Sequence, residues 1–133
     1  MRHLLDTDTC IHIVRDRPAA VRARFARMHP GNLGISVITW CELVFGAVKS
    51  SRPDASLAGL ERFAAAVRVH PFTPSVAAHY GRVRKALEDA GTRIGAMDRL
   101  IAAHALDLGA VLVTNNTREF SRVPGLRLEN WVE

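Results

Sequence analysis

The chain has 133 residues, 48% of them apolar, and a formal net charge of +5. It is about one domain long, large enough to bury a core without staples and too apolar to be a disordered chain, and no apolar run approaches the ~20 residues that span a bilayer. The positive balance points to an anionic partner, nucleic acid being the commonest, and the basic residues are nearly all arginine, which suits bidentate phosphate contact.

In chain order, His3-Leu4-Leu5-Asp6 reads as a short buried strand ending in an acid. The same run is too short for a signal peptide, so a cytoplasmic protein with no membrane association is expected. Residues 7–14 turn into a helix. Pro18 suits the first turn of a second helix reaching about residue 28, where Val21, Phe25 and Met28 form an apolar stripe among Arg22, Arg24 and Arg27. Pro30-Gly31-Asn32 breaks the chain before a second strand over 33–36 and a strongly apolar helix over 37–48. Ser51-Arg52-Pro53-Asp54 breaks it again and introduces a helix over about 55–66. A third strand is expected within 67–72, and a helix opened by Thr73-Pro74-Ser75 should run to about residue 90. A helix over 96–108 ends at Gly109, a C-cap glycine. Residues 110–114 make the best strand of the chain, and 126–128 a last edge strand. Strands separated by helices imply right-handed crossovers and a parallel sheet, so one α/β domain should cover residues 1–133, a central parallel sheet flanked by helices. Cys10 and Cys41 both sit among apolar residues and read as buried thiols; neither belongs to a CxxC pair, so zinc has no support.

Active sites of open parallel sheets form at the carboxyl ends of strands. Asp6 ends the first strand, Asn116 lies just past the strand ending at Thr114, Glu42 sits about a turn into the helix after the second strand, and Asp98 opens the helix feeding the strand 110–114. Each also has an ordinary reading. Asp6 suits an N-cap, Thr39 and Glu42 have capping-box spacing, Asp98 complements a helix dipole, and Asn116 suits a turn. Jointly they point elsewhere. Glu42 is flanked by Ile38, Trp40, Cys41, Leu43, Val44 and Phe45, company in which a carboxylate needs compensation. Carboxylates aimed at one spot repel unless a hard cation binds, and such a cation can activate water and neutralise charge on a phosphodiester.

Four segments resemble the motifs of PIN-domain ribonucleases, especially VapC toxins. They are Leu4-Leu5-Asp6-Thr7-Asp8-Thr9-Cys10-Ile11, Ile35-Ser36-Val37-Ile38-Thr39-Trp40-Cys41-Glu42-Leu43, Asp98-Arg99-Leu100-Ile101-Ala102-Ala103-His104-Ala105 and Leu112-Val113-Thr114-Asn115-Asn116-Thr117-Arg118-Glu119-Phe120. They cover nearly the whole chain in the family's order and spacing. The resemblance implies a PIN-like fold and a metal-dependent endoribonuclease acting as the toxin of a toxin–antitoxin pair. Asp6, Glu42 and Asp98 match the catalytic acids, and Asp6 and Asp98 the ligands of Mg²⁺ or Mn²⁺. Asn116 stands where many relatives have an acid, and Asp8 replaces a frequent Asn. The resemblance further implies a VapB-type antitoxin, a toxin homodimer and, from the end of the chain, the branch that cuts initiator tRNA in its anticodon loop. Arg99 and Arg118 are expected near the mouth of the site.

Two rivals come from other classes. Residues 4–9 also fit the opening of haloacid-dehalogenase-type phosphatases, with Asp6 as nucleophile and Asp8 as general acid, but Lys49 and Lys85 lack suitable contexts and no late acidic pair follows. A non-enzymatic RNA-binding module fits the charge but has no use for acids at strand ends. The histidines form no recognisable site; His104 is expected to be packed or half-exposed, and Trp40 and Trp131 to belong to the core or an interface.

Overall fold

The computed structural model describes residues 2–15 and 18–132. β1 (His3–Leu5) leads through Asp6 into α1 (Thr7–Val14), and α2 (Ala19–Arg27) follows. A 3-10 turn at Pro30–Asn32 delivers the chain to β2 (Leu33–Ser36), which runs directly into α3 (Val37–Val48). Then come α4 (Pro53–Ala64), β3 (Arg68–His70), α5 (Ser75–Asp89), α6 (Ala96–Leu108), β4 (Val111–Val113), α7 (Thr117–Phe120) and β5 (Leu128–Glu129).

The strands form one sheet in the order β3-β2-β1-β4-β5, and every neighbouring pair is parallel, as the alternation of strands and helices predicts. Helices cover both faces, which is why β1 and β4 are apolar at successive positions. Leu5, Ile35 and Val113 join α1–α4 in one apolar cluster with Trp131. Leu4 and Leu112, one residue away on the same strands, join α5 and α6 in the other with Ile101 and Phe120. The period of two thus divides each central strand between two cores. Burying a Leu side chain contributes ~1.5–3 kcal/mol, so Leu4 and Leu5 hold β1 from both sides.

Element boundaries depart from expectation where pairing or capping decides them. α4 starts at Pro53 because proline fits the first helical turn, where its missing N–H is no loss. β3 is limited to Arg68–His70, the stretch that finds Gly34, Ile35 and Ser36 opposite it. β5 is shifted to Leu128–Glu129, in register with Leu112 and Val113. The short α7 was not apparent in the sequence. Gly109 caps α6 with φ of 64°, as its position suggests. Cys10 is buried, but Cys41 is exposed, because the apolar run of α3 continues around the whole helix while only one side meets the core. Trp131 is 1% exposed and belongs to the core, and Trp40 packs against it. Among the described residues no helix is long and apolar enough to cross a membrane.

Candidate active site

Asp6 follows β1 at its carboxyl end. Its N–H donates to the Val113 carbonyl (3.0 Å), so the central pairing of β1 with β4 fixes the backbone that carries it. Its Oδ1 accepts from the Thr9 N–H (2.8 Å), the N-cap of α1. The ordinary reading of Asp6 as a cap therefore holds, and it coexists with a place in the acidic cluster. Asp6 is 5% exposed. Burial pushes its carboxyl above the usual range, against hydrogen bonding by Thr114 and Thr9, and Asp8 pushes the same way as burial.

Asp98 lies in the first turn of α6, whose N-cap, Gly95, offers no side chain. Its carboxyl is pushed up to about 6, first by burial and then by the charges of Glu119, Glu42, Asp6 and Asp8. Carboxylates from the start of α1, from α3 and from α7 therefore act on one half-buried acid. Among the described residues no arginine or lysine forms an ion pair with Asp6, Glu42, Asp98 or Glu119.

Glu42, on the second turn of α3, accepts from the Thr7 hydroxyl (2.6 Å), a bond that ties α3 to α1. Its surroundings correct the expectation drawn from its apolar neighbours in sequence. Glu42 is half-buried, and the flanking Cys41 and Phe45 face solvent, Phe45 being 64% exposed. The capping-box reading also fails: Ser36 caps α3 through Ile38 N–H (3.1 Å), and Thr39 is buried inside the helix.

Asn116 precedes α7, and its N–H is fixed by the Thr114 hydroxyl (2.9 Å). Its amide donates to Glu119 Oε2 (2.7 Å), while Glu119 Oε1 accepts from Gly95 N–H (3.0 Å) at the start of α6. Glu119 is the acid that the sequence reading passed over. It stands three residues after Asn116, on the unanticipated α7, and it exerts the largest charge effect on Asp98. The signal lay in the Asn115–Phe120 segment, where helical spacing brings Glu119 back over Asn116.

Of the two arginines expected at the mouth, Arg99 turns the other way. Its Nη1 donates to the Ile94 carbonyl (3.2 Å), and it lines a hollow with Arg84 and Glu88 of α5. Arg118 is exposed on α7. The phosphatase reading loses its lysine: Lys49 lies over the Phe45 ring and Lys85 pairs with Asp89, neither beside Asp6. His104 is fully buried and hydrogen-bonds Ser36 Oγ (2.8 Å), joining α6 to the start of α3.

The donor set of Asp6, Asp98, Glu42 and Glu119 consists of hard carboxylate oxygens with uncompensated charge, which fits Mg²⁺ or Mn²⁺. The arrangement is open: among the described residues no three such side chains close around one point. Beside Glu42 a groove of about 650 Å³ runs between α1, α3 and α4, lined by Ile11, Val14, Phe45 and Leu60 together with Arg15 and Lys49.

Residues 3–126 match the PIN domain family. The chain is similar to a tRNA(fMet)-specific endonuclease VapC of Shigella flexneri, 42% identical over 131 residues that cover 98% of each chain. Ribonuclease VapC2 of Haemophilus influenzae (strain Rd) is 40% identical over 132 residues, 99% of each chain. Among solved structures, DNA-bound VapBC from Salmonella typhimurium matches with a TM-score of 0.93 at 41% identity, covering 98% of each chain. VapBC2 from Rickettsia felis, bound to a promoter DNA fragment, matches with a TM-score of 0.92 at 34% identity, covering 98% of this chain and 99% of that one.

Proposed function

The chain belongs to the PIN domain family, in its VapC branch, and from that premise we propose that it is a metal-dependent endoribonuclease, the toxin of a toxin–antitoxin pair. The observation that carries the metal reading is Asp98, whose carboxyl is pushed up to about 6 among neighbouring carboxylates that, among the described residues, form no ion pair with an arginine or lysine. Asp6 and Asp98 would hold Mg²⁺ or Mn²⁺, with Glu119 close enough to share the charge. The ion supplies Lewis acidity and neutralises charge building on the phosphate. Glu42, oriented by the Thr7 hydroxyl, takes the proton of the attacking water as its oxygen bonds to phosphorus and a P–O bond of the RNA breaks, the departing ribose oxygen taking a proton from solvent. Asn116 holds Glu119 in place and contributes no charge of its own.

The name of the Shigella relative supports initiator tRNA as substrate, and the proposal places the cut in its anticodon loop. The VapBC structures support an antitoxin partner, and the proposal includes a toxin homodimer within a hetero-oligomer. The apolar groove beside Glu42 suits an antitoxin segment, and a basic side chain extended from it would plug the acidic cluster by standing in for the cation.

The test is cleavage of initiator tRNA, with elongator methionine tRNA as control. Cleavage should stop in excess EDTA and return with Mg²⁺ or Mn²⁺. Full cleavage in EDTA would overturn the metal mechanism, and equal cutting of both tRNAs would overturn the substrate.

A further inference from the structure

At the end of the strands opposite the acids, the amino-terminal ends of β1, β2 and β4 together with β3 surround a small hollow of about 60 Å³. Arg2, His3, Asn32, Arg68 and His70 supply its polar wall, and among the described residues no acid lines it. His3 has its acidic partner outside the hollow, Glu129 at 3.1 Å. Arg2 and Arg68 have no ion pair among the described residues.

His70 adds an independent observation. It is 8% exposed, yet among the described residues neither ring nitrogen has a hydrogen-bond partner. Its contacts are an edge-on approach to the His104 ring, 6.2 Å between centroids, and the backbone of Gly34. The ring fits there only because residue 34 lacks a side chain: a Cβ would lie 2.5 Å from His70 Nε2. The ring nitrogens are not sealed from solvent, so a polar ligand in the hollow would take the place of water on them. Burial, Arg68 and Arg2 all disfavour a proton on this ring, and burial and His70 likewise push the His104 imidazole below its usual range, against Asp107 and the Pro71 backbone. Among the described residues, no acid in the wall of the hollow balances the positive potential of the two arginines.

We propose that this hollow is an anion site for a phosphate-class oxyanion, held by the Arg2 and Arg68 guanidiniums with His70 as the buried donor. Two guanidiniums and an imidazole offer the fixed donors that a tetrahedral oxyanion accepts from, and the hollow has room for a single phosphate group. The anion reverses the electrostatics at His70, so binding and proton uptake by the ring are linked. The site is separate from the acidic cluster and does not depend on its being a nuclease centre. Its ligand is either free phosphate or one phosphate of a nucleic acid backbone.

The experiment titrates inorganic phosphate into the full chain and follows the His70 ring by ¹H–¹³C NMR, with chloride at matched ionic strength as control. The expected result is a saturable shift of the His70 signals and an upward move of their titration midpoint. Arg68→Gln, at an exposed position, should weaken phosphate binding at least about tenfold while leaving the melting temperature unchanged. Arg2→Gln should act in the same direction. A His70 signal that responds equally to phosphate and chloride, or a response that survives Arg68→Gln, overturns the site. A second arm separates the sources, by measuring binding of uncleaved tRNA to Asp98→Asn with and without Arg68→Gln. Loss of affinity and a salt slope smaller by about one assign the site to the nucleic acid backbone, and unchanged binding assigns it to free phosphate.

Discussion

Replacing Asp98 with Asn should make the metal-free protein more stable. The carboxyl rises from 3.8 to about 6 on folding, a difference of roughly two units. At ~1.4 kcal/mol per unit the ceiling is ~3 kcal/mol. Asp98 is only half-buried, so screening by solvent reduces this to ~1.5 kcal/mol. An Asp in the first turn of a helix also gains ~0.5 kcal/mol from the dipole, which Asn forfeits. The net gain at neutral pH is ~1 kcal/mol, about 4 °C in melting temperature for a domain of this size. The pH window follows from the sign. A carboxyl with a raised folded value binds its proton more tightly when folded, so its stabilising contribution is complete below 3.8 and is lost as pH rises through about 6. The two proteins should therefore melt alike near pH 3.5 and diverge between pH 4 and 6.5, with the Asp98→Asn variant ahead. Added Mg²⁺ should stabilise the native sequence more than the variant, because ligand-linked stability scales with affinity. Thermal melts in EDTA and in Mg²⁺ across this range read all three. A variant that melts lower in EDTA at pH 7, by a margin independent of pH, would show that Asp98 only supports its helix.

Glu119→Gln should lower the titration midpoint of Asp98, by removing the largest charge acting on it, and weaken Mn²⁺ binding tenfold or more. Mn²⁺ titration followed by electron paramagnetic resonance checks this, and unchanged binding would reduce Glu119 to a staple for Gly95. Gly34→Ala should cost about 2 kcal/mol in a denaturant titration, since its Cβ would lie 2.5 Å from His70 Nε2 and 3.1 Å from the Arg68 carbonyl. In native protein a thiol reagent should modify Cys41 and spare Cys10; modification of both at similar rates would contradict the packing of α1.

The strands and most helices were legible because β1, β2 and β4 are buried on both faces and announce themselves as apolar runs between breakers. Asp6 and Asp98 were legible for a related reason: each stands at a point where periodicity changes, a strand end or a helix start. Glu42 was located, but its environment was misjudged. Linear neighbours such as Cys41 and Phe45 are spread around the helix by its 3.6-residue turn, so they say little about what surrounds the carboxylate. Glu119 escaped because four-residue helices such as α7 have too few positions to show a period. His70 looked featureless for want of an acid nearby in sequence, whereas its surroundings come from residues 2, 34 and 104, which only the sheet brings together.

The strand order also sets a schedule. β1 precedes the other described strands in the chain, yet it lies in the middle of the sheet, and one of its two neighbours, β4, follows only after β2 and β3. The Asp6 backbone is fixed by Val113, and Glu119 follows later still. A nascent chain can bury β1 against β2, but it cannot assemble the acidic cluster, because half of that cluster has not been translated. The cluster is therefore complete only once residue 119 has been made and has folded back to the start of α6.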